Sequence, residues 1–103
     1  MSWEVEFLDE ARRDMRKLDG SQRALVLKAI RNVQQDPTAN GYGTPLGNKS
    51  GSSLAGLFKI KLRKSGIRVV YQLLEVDGAM RIVIVGMRAD NEVYLEATRR
   101  LGR

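Results

Sequence analysis

The sequence predicts a single α+β domain spanning residues 1–103, ordered β-α-α-β-β-β-α, a mainly antiparallel four-stranded sheet with helices on one face. Three observations carry this expectation. Apolar residues at helical spacing fill two adjacent segments between residues 8 and 35. Three strand-like runs follow between residues 57 and 88, the last two joined at Asp77-Gly78, a strong hairpin signal. A chain of 103 residues, 43% apolar and 29% charged, suits one modest core and has the make-up of a globular protein.

The elements follow in order. Trp3 to Phe7 alternates, with Trp3, Val5 and Phe7 on one side and Glu4 and Glu6 on the other, as a short strand does. Leu8, Ala11, Met15 and Leu18 then fall at helical spacing, with Asp9 as the expected N-cap. Asp19-Gly20-Ser21 interrupts that helix. A second runs from about Ser21 to Gln35, with Leu27, Ile30 and Val33 toward the core, and stops before Pro37. So short a link implies an antiparallel αα-hairpin. Residues 37–57 are rich in Gly, Ser and Asn and lack any sustained period, the mark of a long functional or mobile loop. Strands are expected at about 57–64, 67–76 and 80–88, and the unbroken apolar run Ile82 to Val85 marks the last as covered on both faces. Asn91 is expected to cap a final helix reaching about Leu101, with Arg99 and Arg100 in its last turn, where they suit the helix dipole.

Composition removes several kinds of chemistry. The chain has no Cys, hence no disulfide, thiol nucleophile or thiolate metal site, and no His, the commonest metal ligand and neutral-pH acid–base. Catalysis would have to use Tyr, Lys, Arg or carboxylates, with no metal and no cofactor. The acidic N-terminal stretch MSWEVEFLDEARR is unlike a signal peptide, and no apolar run approaches membrane-spanning length, so a cytoplasmic protein without membrane contact is expected.

The net charge of +6 is unevenly spread: residues 1–37 hold seven basic and seven acidic side chains, residues 38–103 eleven and five. Between Asp36 and Glu75 there is no acid, but there are Lys49, Lys59, Lys61, Arg63, Lys64 and Arg68. In FKIKLR, Phe58, Ile60 and Leu62 alternate with Lys59, Lys61 and Arg63. A two-residue turn at Ser65-Gly66 would pair Arg63 with Arg68, Leu62 with Val69 and Lys59 with Gln72. One face then carries Phe58, Ile60, Leu62, Val69, Tyr71 and Leu73, the other Lys59, Lys61, Arg63, Arg68 and Gln72. Like charges opposite one another cost a sheet about 0.2–1 kcal/mol per pair. Either the face is simply solvated and guards an edge, or a polyanion supplies the counter-charge, with phosphodiester the natural candidate. Arg88, at the end of the last strand, and Tyr94, in the first turn of the final helix, are able to join this face. By themselves they read more readily as a strand-end surface charge and a core aromatic.

The stretches LAGLFKIKLRKSGIRVVYQ and IVIVGMRADNEVY resemble the RelE toxins of the RelE/ParE superfamily, found in bacterial type II toxin–antitoxin pairs. The likeness covers nearly the whole chain. Its specific parts are K-I-K-L-R-x-S-G-x-R-x-V-Y-Q and G-x-R-x-x-x-E-V-Y, while the loop around GNKSGSS is longer than the family's. The resemblance implies a RelE-like fold and a ribosome-dependent mRNA endoribonuclease (an mRNA interferase) that inhibits translation in the ribosomal A site and is blocked by a RelB-like antitoxin. It also implies catalytic roles for Lys59, Lys61, Arg68, Arg88 and Tyr94; the cationic stretch itself offers Lys49, Arg63, Lys64 and Gln72 as added RNA contacts.

RNA cleavage of this kind uses the substrate's own 2′-hydroxyl, which attacks the adjacent phosphorus and leaves a 2′,3′-cyclic phosphate and a 5′-hydroxyl. It needs a base, cations for the phosphorane charge and an acid for the leaving oxygen. Tyr94 and Lys59 are the candidates for base, Arg68 and Lys61 for charge clamps, and Arg88 or Lys61 for the leaving oxygen. Two other readings stay open: a non-catalytic binder of nucleic acid or acidic peptide, and a gyrase-inhibiting ParE-like toxin of the same fold.

Overall fold

The computed structural model describes residues 3–46, 56–87 and 90–102. Its order is β1 (Glu4–Phe7), α1 (Asp9–Arg16), α2 (Gly20–Gln34), β2 (Thr44–Pro45), β3 (Leu57–Leu62), β4 (Ile67–Leu74), β5 (Ala79–Gly86) and α3 (Asp90–Arg100). The sheet runs β1-β5-β4-β3-β2. It therefore has five strands among the described residues, not four. The added strand, β2, is two residues long and lies within the stretch expected to be loop, where Pro45 tolerates an edge position. β1 pairs parallel to β5, and every other pairing is antiparallel.

The helix boundaries depart from expectation in instructive ways. Asp9 is the first residue of α1 and Leu8 occupies the cap position, so Asp9 acts through its charge in the first turn instead. Asp19 caps α2: its Oδ1 accepts from the Gln22 amide at 2.8 Å while Gln22 Oε1 accepts from the Asp19 amide at 3.1 Å, a reciprocal capping box. α2 buries Val26, Ile30 and Val33, at i, i+4 and i+7, whereas Leu27 is half-exposed and not core. α3 begins at Asp90, which puts Asn91 inside the helix and not at its cap.

Two apolar clusters lie on opposite sides of the sheet. α1 and α2 bring Ala11, Leu18, Val26, Ile30 and Val33 against Phe58, Val69, Tyr71, Met80 and Ile82. α3 brings Val93 and Ala97 against Val70, Val83 and Ile84 on the other side. Helices thus cover both faces, contrary to the one-face expectation. A β-bulge explains how β5 serves both: the register steps from Val70↔Ile84 to Tyr71↔Ile82, so Val83 has no partner in the ladder. As a result the consecutive residues Val83 and Ile84 both face α3.

The β3–β4 hairpin is two residues out of the expected register. Lys61 pairs with Arg68, Lys59 with Val70 and Leu62 with Ile67, around a four-residue turn at 63–66. A two-residue slip preserves the faces. Phe58, Ile60, Leu62, Val69, Tyr71 and Leu73 all join the α1/α2 side, and Phe58 stacks on Tyr71 at 5.3 Å. Arg63 sits in the turn, not opposite Arg68. The β4–β5 connection is likewise four residues, 75–78, with Leu74 opposite Ala79.

Candidate functional site

The cationic side chains of β3 share the side of the sheet on which α3 packs, because strand alternation sends Phe58, Ile60 and Leu62 to the opposite core. Across this face the ladder runs Thr44–Lys59–Val70–Ile84, and one step toward the turn Lys61 stands opposite Arg68. The turn is held locally. Leu62 O accepts from the Gly66 amide at 2.9 Å and from Ser65 Oγ at 3.4 Å, and Ser65 Oγ accepts from the Ile67 amide at 3.3 Å. Gly66 lies at φ +74°, a left-handed conformation that glycine adopts without penalty. These contacts hold open a cleft of about 320 Å³ lined by Lys61, Leu62, Arg63, Gly66 and Arg68.

α3 delivers the second half of the site. Tyr94 packs its ring against the apolar cluster beneath α3 and turns its hydroxyl to β3, where Lys59 Nζ donates to it at 3.4 Å. The ring is packed and the oxygen is presented.

The remaining candidates divide. Lys59, Lys61, Arg68 and Tyr94 are brought together on one face. Arg63 and Lys64 are exposed in the turn beside them and extend the cationic surface. Gln72 lies further along β4 between Leu57 and Arg81, and its buried Oε1 makes no hydrogen bond. Lys49 and Arg88 lie outside the described residues.

Sequence reasoning passed over one polar cluster on the same helix. Arg100 Nη1 donates to Asp14 Oδ2 at 2.6 Å and to Val83 O at 2.9 Å, Nη2 donates to Asp14 Oδ1 at 3.2 Å, and Nε donates to Glu96 Oε2 at 2.8 Å. The signal was present: Val93, Ala97 and Arg100 stand at i, i+4 and i+7, which puts the arginine on the buried stripe.

Chemically, the face combines several cations with a phenol hydroxyl that accepts from an ammonium, a set of groups suited to anions and to proton exchange. Among the described residues no group of three or more His, Cys, Asp or Glu side chains is placed to hold a metal ion. Also among them, no helix is long and apolar enough to cross a membrane.

No protein-family model matches the chain. It is 32% identical over 101 residues to the mRNA interferase toxin RelE of Escherichia coli, covering 98% of this chain and 99% of that protein. Among solved structures, a mutant of the E. coli toxin RelE in the free state superposes with a TM-score of 0.80 at 30% identity, over 98% of this chain and 99% of that one. A chain of the intact E. coli RelBE toxin–antitoxin complex gives a TM-score of 0.69 at 25% identity, over 85% of this chain and 99% of its own length.

Proposed function

The chain belongs to the RelE family of toxins, and from that premise we propose that it is a ribosome-dependent endoribonuclease that cuts messenger RNA, halts translation and is restrained by a RelB-like antitoxin. The observation that carries the enzymatic part is the meeting of Lys59 Nζ with the Tyr94 hydroxyl at 3.4 Å, beside Lys61 and Arg68 on one sheet face. A binding surface needs cations alone. A phenol held by an ammonium next to them is a device for moving a proton.

In the reaction, the 2′-hydroxyl gives its proton to the deprotonated oxygen of Tyr94, which becomes the phenol, with Lys59 as the counter-charge beside it. The 2′-oxygen bonds to phosphorus, and Lys61 and Arg68 hold the negative charge of the phosphorane. Arginine keeps its proton, so Arg68 acts through charge and not as an acid. The bond from phosphorus to the 5′-oxygen then breaks, and that oxygen receives a proton from Lys61 while Arg88 offsets its developing charge. The products are a 2′,3′-cyclic phosphate and a 5′-hydroxyl, with no water consumed. Histidine is absent from the chain, so no group is matched to neutrality and the intrinsic rate is modest. A ribosome that orients the message in its A site supplies the missing positioning. This places the protein's action in the cytoplasm.

The antitoxin reading rests on the family and on the RelBE complex, whose toxin chain shares this fold. The deciding experiment adds purified protein to ribosomes programmed with a defined message. Cleavage within the A-site codon supports the proposal. Intact message with tight ribosome binding makes the protein a non-catalytic binder, and inhibition of gyrase with intact message makes it a ParE-like toxin.

A further inference from the structure

The fully buried side chains of α3 are few and small: Val93 and Ala97 lie on Val70, Val83 and Ile84, with Tyr94 and Leu101 partly buried beside them. Contacts of this kind are non-directional, and they leave the rotation and axial position of a short helix weakly determined. The stripe continues to Arg100, whose side chain is only 6% exposed, and its partner Asp14 on α1 is only 9% exposed. Two charges thus occupy positions where apolar residues would be expected, and the bulge in β5 gives the reason. Val83, skipped by the ladder, has a carbonyl that accepts from Arg100, and the amide of Val85 donates to Asp14 Oδ2 at 3.0 Å. The ion pair completes the hydrogen bonding of the bulge and ties α1, β5 and α3 at one point.

Tyr94 lies six residues before Arg100, about 9 Å along the helix axis at the usual rise. α3 is consequently held at both ends, by Arg100 on β5 and by Tyr94 on Lys59 of β3. We propose that the Asp14–Arg100 pair at the β5 bulge fixes the rotation and axial position of α3, and thereby holds the Tyr94 hydroxyl at Lys59 in the geometry that cleavage requires. Asp14 and Arg100 are positioning residues: they touch neither RNA nor the reacting atoms, and a planar guanidinium with several fixed acceptors gives the directionality that Val93 and Ala97 lack. The inference rests on the proposed role of Tyr94.

The test is a cycle of single-turnover cleavage rates on programmed ribosomes. Arg100→Lys keeps the charge but loses the fork, and Asp14→Asn/Arg100→Gln removes both buried charges together, so neither leaves a lone ion in the core. Each is made in the parent chain and in Tyr94→Phe, with rates expressed per folded molecule by circular dichroism. Either substitution should slow cleavage tenfold or more in the parent chain while ribosome affinity changes less than threefold. In the Tyr94→Phe background the same substitutions should slow it less than twofold further, because the hydroxyl being positioned is gone. A tenfold loss repeated in both backgrounds makes the pair a general structural support, and unaffected cleavage removes it from the reaction; either overturns the inference. If Tyr94→Phe alone cleaves at the parent rate, the reading of Tyr94 itself fails, which is a separate result.

Discussion

Lys61 of β3 stands directly across the ladder from Arg68 of β4, two cations in register on the sheet face that α3 packs against. Such an arrangement costs a sheet about 0.2–1 kcal/mol, so these side chains are not held there by stability. Lys61→Ala and Arg68→Ala should each shift unfolding by less than about 1 kcal/mol while lowering cleavage at least tenfold, the order expected for loss of a charge clamp. Thermal melts alongside single-turnover rates check this. A collapse of Tm in both variants with unchanged cleavage per folded molecule would make the residues structural.

The same cations should govern how an antitoxin arrives. With Lys59, Lys61, Arg63, Lys64 and Arg68 gathered on one hairpin, acidic side chains of a partner are drawn in over long range. Association should slow several-fold as salt rises from 50 to 500 mM, as expected when the Debye length shrinks to a few ångströms. A salt-independent rate constant, measured by stopped-flow, would remove charge from the encounter.

The chemistry itself predicts a pH profile. Without histidine, the single-turnover rate should climb from pH 6 toward about pH 9, with no bell centred near neutrality. Tyr94→Phe should slow it by a factor of about 10²–10⁴, typical of a lost acid–base group, while RNA binding stays within a few-fold. Substituting 2′-deoxyribose at the cut site should abolish the reaction. Persistent cleavage of that substrate would make water the nucleophile.

Acid stability should depend on Glu96. Hydrogen bonds from Arg99 and Arg100 hold its carboxyl at about 2, below the ordinary 4.5. A depressed folded value means that the stabilisation is present above about pH 4.5 and is lost as pH falls through about 2. Glu96→Gln should flatten the decline of Tm between pH 5 and pH 2. Because Arg99 is exposed, high salt should shrink part of the difference between the two chains.

Tyr71 predicts the alkaline limit. Burial, and then the charge of Asp36, push its phenol above the usual range, and its hydroxyl donates to Pro37 O at 2.8 Å. The folded chain holds this proton more tightly than the unfolded one, so the contribution is intact below about pH 10 and falls as pH rises beyond it. Tyr71→Phe should cost about 1–3 kcal/mol at neutral pH, since the carbonyl loses its donor, and should remove part of the alkaline slope. Denaturant titrations at pH 8 and pH 11 measure both.

Much of the site was legible because a strand's period is two. The slip of the β3–β4 register by two residues left Lys59, Lys61 and Arg68 on one face, so a different turn led to the same surface. The four-residue turn was hidden because Arg63 continues the alternation of the strand that it leaves. β2 was invisible, since two residues carry no period. The second layer of helix was missed for a different reason: a bulge has no sequence signature in a run such as Ile82-Val83-Ile84-Val85, yet it is what gives α3 a surface to pack on. Asp14 and Arg100, 86 positions apart, become a pair only in three dimensions.

The parallel pairing of β1 with β5 has a kinetic consequence. Glu4 to Phe7 find their neighbours only at Ala79 to Ile82, 75 positions further along the chain. A nascent chain that has formed α1 and α2 still carries an unpaired strand, and the sheet closes only when its last interior strand has emerged. Contacts so distant in sequence slow folding and make it close to all-or-none. Premature termination before residue 79 should therefore leave β1 without its ladder, and release an inert, protease-sensitive fragment in place of a weakened toxin.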